Sequence, residues 1–166
     1  MLELYIIRHG LAGKPLEDKV KDHKRPLKKK GKEMIKGVAK GLKNQKIQFD
    51  VILSSPLIRS KESAEIVNEY CGHNKKIVVT ELLEPGASYN DLIKYLNKLK
   101  SSKKIAIVGH EPFLSGFTSY CLTKKKNPFI NLKKGGVLVL EAEKVITPGQ
   151  CMLSWLLEPD HVIIDE

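Results

Sequence analysis

A chain of 166 residues, 42% hydrophobic and 29% charged, has the length and composition of one compact domain with its own core, expected to span residues 1–166. No run approaches the roughly 18 apolar residues of a membrane span, and the first residues lack the basic stretch, apolar run and cleavage site of a signal peptide, so a soluble cytoplasmic protein with no membrane partner is expected. The net charge of +10 is concentrated between Lys14 and Lys46, where 13 Lys or Arg stand against 4 Asp or Glu.

Leu2 to Ile7 is a short apolar run with β-branched members, bounded by Gly10, and reads as a buried strand. A polar loop of about 17 residues follows. Leu27, Met34, Val38 and Leu42 then mark one face of a helix ending near Asn44. The lysines between these apolar positions are either a solvated helix face or a field for anionic substrates and acidic surfaces. No aromatic residue interleaves them for base stacking, so no specific nucleic-acid partner is expected.

Val51 to Leu53 is a second strand, and Ser54, Ser55 and Pro56 predict a helix start with a hydroxyl cap and proline at the first position. Leu57, Ala64, Val67 and Cys71 form the inward face of that helix. Ile77 to Val79 reads as a third strand, and Ser88 with Asp91 opens a helix through a capping box, its stripe supplied by Leu92, Leu96 and Leu99. Ile105 to Val108 is a fourth strand, and a helix beginning at Pro112 carries Leu114, Phe117, Cys121 and Leu122. Val137 to Leu140 and Met152 to Leu157 form a terminal strand pair suited to antiparallel pairing. Cys71, Cys121 and Cys151 form no C-x-x-C pair and read as reduced, mostly buried thiols.

Strands alternating with helices predict an α/β fold, a three-layer α/β/α sandwich around a mostly parallel sheet. Ligands of such sheets sit outside the carboxyl ends of the strands. Arg8 and His9 follow the first strand, Arg59 the second, and His110 the fourth. Two guanidinium and two imidazole groups in one crevice suit a tetrahedral phosphoryl dianion. The histidines show no metal-ligand spacing, so neither metal nor other cofactor is expected, and His23, His73 and His161 read as surface residues.

Arg8, His9 and Gly10 after the first strand resemble the R-H-G signature of the histidine phosphatase (phosphoglycerate mutase-like) superfamily. Ser55, Pro56, Leu57, Ile58 and Arg59 resemble its S-P-x-x-R element, and Gly109 with His110 its G-H element. Asp22, Arg25, Pro26, Leu27 and Gly31 are similar to the D-x-x-R-P-L-T-x-x-G stretch of the short, SixA-type phosphohistidine phosphatases, with Lys28 in place of the threonine. The resemblance implies a phosphoglycerate mutase-like fold and a metal-independent phosphatase with His9 as covalent phosphoryl acceptor. Arg8, Arg59 and His110 would hold the phosphoryl oxygens, with Arg25 a further substrate-binding residue. The two arginines should lower the His9 pKa by about 1 unit or more, keeping it unprotonated near neutrality.

Ester-cleaving branches of the superfamily use a carboxylate after the third strand, for which Glu81 and Glu84 are the nearest candidates, with Glu111 a third that equally suits the start of its helix. A P–N bond needs that acid far less than a P–O bond does. The expected substrate is therefore a phosphohistidine-bearing protein. Alternatives are a phosphatase for sugar or nucleotide phosphates and, from another class, a nonenzymatic phosphate or RNA-binding module.

Overall fold

A computed structural model describes residues 1–99 and 101–162. Strand β1 (Leu2–Arg8) lies inside a six-stranded sheet with β2 (Val51–Ser54), β3 (Val78–Val79), β4 (Lys104–Gly109), β5 (Val137–Ala142) and β6 (Met152–Leu157), in the order β3-β2-β4-β1-β5-β6. β3, β2, β4 and β1 run parallel, and β5 and β6 complete the sheet antiparallel. The helices are α1 (Lys19–His23), α2 (Lys29–Asn44), α3 (Ile58–Cys71), α4 (Tyr89–Leu96), α5 (Phe113–Thr123) and α6 (Pro159–Val162).

Side chains alternate across a strand, and β1 uses both faces. Leu2, Leu4 and Ile6 join Leu92 and Leu96 of α4 and Leu114 and Phe117 of α5. Tyr5 and Ile7 point the other way, into a cluster with Ile35, Val38 and Leu42 of α2, Ala64 and Val67 of α3, and Val162 of α6. This makes the three-layer α/β/α sandwich, and a central strand buried on both faces explains its continuous apolar run. No helix among the described residues is long and apolar enough to cross a membrane.

Several local expectations are corrected. The loop after β1 contains α1, which buries no side chain and so carries no apolar period. α3 begins at Ile58, with Leu57 as its N-cap and no side-chain cap bond. Pro56 therefore precedes the helix, and the Ser55 hydroxyl is engaged elsewhere, with a histidine. The capping box at Ser88 is half realised, because its Oγ accepts from Asp91 N at 3.3 Å while the Asp91 carboxylate turns to Lys94. The third strand shrinks to Val78 and Val79, and α4 stops before Leu99. The three cysteines are free and buried, yet Cys121 and Cys151 are neighbours, the Cys151 N–H donating to the Cys121 carbonyl at 3.2 Å.

β6 is the open edge opposite β3, and Met152, Leu153, Trp155 and Leu156 on it are exposed.

Candidate active site

The register of the parallel strands assembles the site. Arg8 of β1 lies opposite Gly109 of β4, and Ser54 of β2 opposite Val108. The next residues, His9, His110 and Ser55, therefore emerge side by side at the carboxyl edge of the sheet. The pairing continues one step further, with His9 N donating to Gly109 O and Ser55 N to Val108 O, both at 3.1 Å. The two imidazole rings stand 5.2 Å apart, centre to centre. His9 and His110 are only 6% and 2% exposed.

Glycines permit the tight turn after β1. A Cβ on Gly10 would lie 2.7 Å from Gly31 O, and one on Gly31 would lie 2.1 Å from Leu11 O, so the turn rests directly on the first turn of α2. Ser63, one helical turn beyond Arg59, ties the turn to α3. Its Oγ accepts from Gly10 N at 3.1 Å and donates to Arg59 O at 2.7 Å.

The His9 tautomer follows from its partner. Nδ1 lies 2.7 Å from Gly10 O, and a carbonyl only accepts, so Nδ1 carries the proton and Nε2 keeps its lone pair. Burial is the largest cause pushing the His9 pKa down, to about 4. The Gly10 carbonyl opposes it, and the charges of Arg59, Arg8 and Lys134 add to it. The direction matches the expectation from sequence, but desolvation outranks the arginines.

His110 Nε2 lies 2.8 Å from Ser55 Oγ and 3.2 Å from Ser60 Oγ. Ser55 Oγ also accepts from Leu57 N at 3.4 Å and can give its own proton to His110 Nε2. In that tautomer Nε2 accepts and Nδ1 carries a proton; the buried Nδ1 has no partner among the described residues. Burial, then His9, Arg59 and Arg25, push the His110 pKa down to about 2, against Asp22.

The cations are held by carbonyls and one acid. Arg8 Nη1 donates to Leu132 O at 2.9 Å. Arg59, 6% exposed, donates from Nη1 to Asp22 O at 2.9 Å and meets Asp22 Oδ2 through Nη2 at 3.3 Å. Arg25 Nε meets Asp22 Oδ1 at 2.9 Å while its Nη1 donates to Gly13 O. Asp22 thus bridges two guanidinium groups. Burial pushes its carboxyl up, but the Leu16 N–H and the two arginines outweigh this and hold its pKa at about 2. Nε of both Arg8 and Arg59 is buried without a partner among the described residues.

The structure therefore brings Arg8, His9, Arg25, Arg59 and His110 into one cluster. Glu81, on the 3-10 turn Glu81–Leu83, is exposed and Glu84 is half-buried, and neither side chain forms a hydrogen bond or ion pair among the described residues. Glu111 takes the helix-start role, its carboxylate accepting from Ser115 N at 3.0 Å and from the Ser115 hydroxyl, with its charge also reaching Arg8. Among the described residues no group of three or more His, Cys, Asp or Glu could hold a metal ion.

Four contributors escape sequence reasoning: Ser60, Ser63, Glu62 and Lys134. Glu62 accepts from Leu27 N at 2.6 Å and meets Lys32 at 3.0 Å, which anchors the segment carrying Asp22 and Arg25 to α3. The spacing of Ser63 from Arg59 is the only signal the chain offered.

Residues 4–85 match the family model for the histidine phosphatase superfamily, branch 1. An uncharacterized protein of Picosynechococcus sp. is 32% identical over 145 residues, 85% of this chain and 86% of the relative. The phosphohistidine phosphatase SixA of Escherichia coli is 26% identical over 115 residues, 68% of this chain and 70% of the relative. Among solved structures, a SixA protein histidine phosphatase in complex with tungstate superposes with a TM-score of 0.82 at 20% identity, covering 96% of this chain and 98% of that one. A phosphoserine phosphatase mutant of Entamoeba histolytica with phosphoserine bound gives 0.72 at 17%, covering 98% and 100%. Sequence motifs at three strand ends, a shared fold and the family match agree: the chain belongs to the histidine phosphatase superfamily.

Proposed function

We propose that the chain is a protein phosphohistidine phosphatase that acts through a phosphohistidine on His9. The observation that carries this reading is the His9 ring itself. Its Nδ1 proton is committed to Gly10 O, and its Nε2 lone pair is kept free by burial in a cluster of cations.

Nε2 attacks phosphorus in line, the bond to the leaving group breaks, and its electron pair leaves with that group. Arg8, Arg59 and His110 Nδ1–H hold the nonbridging oxygens, where charge persists through the transition state. The partnerless Nε atoms of both arginines and Nδ1 of His110 are donors of the kind such oxygens satisfy. Water then cleaves the P–N bond to His9, giving inorganic phosphate and restoring the free imidazole. Removing any one of these donors should cost about 10²- to 10³-fold in rate. The arginines supply the positive charge a metal would bring, so the reaction proceeds in EDTA.

Substrate class rests on the acid. Neither Glu81 nor Glu84 is held toward the pocket by a bond, and only the short turn Glu81–Leu83 and a loop separate β3 from α4. A phosphorylated imidazole leaves readily without a strong acid, whereas an alkoxide does not. This favours phosphohistidine over sugar or nucleotide phosphates. The test is turnover in EDTA of a phosphohistidine protein, p-nitrophenyl phosphate and sugar phosphates by the wild type and His9→Ala. Loss of all turnover in His9→Ala with phosphohistidine preferred is the expected result. Equal turnover by both proteins would remove His9 as nucleophile, and a preference for sugar phosphates would replace the substrate class.

A further inference from the structure

The last turns of α5 and the entry to β6 are fastened together at one point, the carbonyl of Cys121. It accepts from Gly149 N at 2.8 Å and from Cys151 N at 3.2 Å, while Gln150 N closes the turn on Thr147 O at 3.0 Å. Gly149 takes a positive φ of 80° to bring the chain round. A backbone hydrogen bond between two residues sets their Cα atoms about 5–6 Å apart, inside the span of about 4.4–6.8 Å that a disulfide bridges.

The side chains of the two cysteines meet as well. The Cys121 thiol donates a hydrogen bond to the Cys151 sulfur, and this contact is the largest cause that raises the Cys121 pKa and lowers that of Cys151. Cys151 is therefore the thiol that ionises first, and the thiolate is the form that oxidants meet. It is also the one nearer solvent, 8% exposed between the exposed Gln150 and Met152, whereas Cys121 is 0% exposed. Cys71 supplies an internal contrast. It packs in the cluster on the opposite face of the sheet, its thiol donates to Ala39 O at 3.4 Å, and burial pushes its pKa up to about 11.

We propose that Cys121 and Cys151 form an oxidation site, two thiols of the folded protein that hydrogen peroxide joins in a reversible disulfide. The Cys151 thiolate attacks one peroxide oxygen, the O–O bond breaks, and hydroxide leaves a sulfenic acid on Cys151. The Cys121 sulfur then attacks the Cys151 sulfur, the S–O bond breaks, and the oxygen departs as water with the Cys121 proton. The two sulfurs give up two electrons, the peroxide is reduced to water, and a dithiol reverses the change. The bond closes a ring around residues 122–150, which include the stretch that walls the pocket. There Gly135, at a positive φ of 73°, donates through its N to Arg8 O at 3.1 Å and His9 O at 3.2 Å, and the Arg8 guanidinium reaches Leu132 O. Joining the two ends of that ring restricts the unfolded chain, so oxidation fastens the fold and does not loosen it. The proposal stands apart from the phosphatase reading, which uses neither thiol.

The reduced wild type is treated with hydrogen peroxide well below its melting temperature. Remaining thiols are alkylated with N-ethylmaleimide in urea, and the peptides are mapped by mass spectrometry without reduction. The expected product is a single chain alkylated only at Cys71, with the Cys121 and Cys151 peptides crosslinked. It should melt about 5–10 °C above the reduced protein and return to the reduced value in dithiothreitol. Cys71→Ser should behave as the wild type does, and Cys151→Ser should show neither crosslink nor shift. In Cys121→Ala, where no second thiol resolves the intermediate, dimedone should label Cys151. Three alkylated cysteines after peroxide treatment overturn the proposal. So does pairing that engages Cys71, a crosslink found only between chains, or a crosslink that leaves the melting temperature unchanged or lowers it. The wild-type map decides by itself, whether or not a buried cysteine can be replaced without loss of the fold.

Discussion

Acidification from neutrality to about pH 4.5 should destabilise the chain by about 5 kcal/mol through two side chains alone, His9 and His110. In the unfolded chain each imidazole takes up a proton near its ordinary value of 6.5. In the fold His9 resists protonation down to about 4 and His110 down to about 2. Below 6.5 the unfolded state therefore binds more protons than the native state. The stability is fully present above 6.5 and is lost as the pH falls toward the folded values. Each group contributes about 1.4 kcal/mol per pH unit over that interval, or roughly 2.5 kcal/mol at pH 4.5. Asp22 acts in the same direction, but chiefly below its ordinary value of 3.8, so this range largely isolates the histidines. The assay is urea unfolding at several pH values for the wild type and for His9→Asn combined with His110→Asn. The variant should lose about 5 kcal/mol less than the wild type across the interval, whatever its absolute stability. Parallel pH dependences in the two proteins would refute the claim that the fold holds these rings neutral.

On the proposed mechanism only the neutral His9 ring attacks, so phosphoenzyme formation should have an acid limb near pH 4 rather than 6.5; rapid-quench trapping of the phosphorylated protein measures it. Asp22→Asn removes the carboxylate bridging Arg25 and Arg59, and turnover should fall by about tenfold or more with the fold retained, checked by steady-state kinetics beside a thermal melt. Ser63→Ala severs the link between Gly10 and Arg59 and should lower stability by about 1–2 kcal/mol, read from urea midpoints. Gly31→Ala drives a methyl group into Leu11 O and should cost about 2–3 kcal/mol in the same assay.

The layered fold was legible because β1, β2 and β4 are short apolar runs ending at polar residues and the intervening helices carry apolar stripes. The gathering of the candidate site residues was legible for the same reason. Arg8, His9, Arg59 and His110 each interrupt an apolar pattern at a strand end or just beyond one, where only the topology is needed to gather them. What stayed hidden lacks that contrast. α1 buries nothing, so no period marks it. The serines of α3 look like ordinary polar helix residues until Gly10 and His110, about fifty positions away, arrive beside them. Lys134 sits in a run of polar residues and gains its setting only when the Gly135 turn folds back onto β1. The Ser-Ser-Pro sequence misled because the Ser55 hydroxyl is shared between His110 and Leu57 N and reaches no N–H within the helix itself.

The placement of β1 also bears on how the molecule is made. The strand that leads into His9 is made well before either of its sheet partners, which lie more than a hundred positions downstream. The carbonyls of Arg8 and His9 wait still for Gly135. A nascent chain on the ribosome therefore carries an apolar strand with neither neighbour until β4 and then β5 emerge, and such long-range pairing is slow. A fragment that stops short of Gly135 therefore leaves β1 without its β5 neighbour and the carbonyls of Arg8 and His9 without their donor.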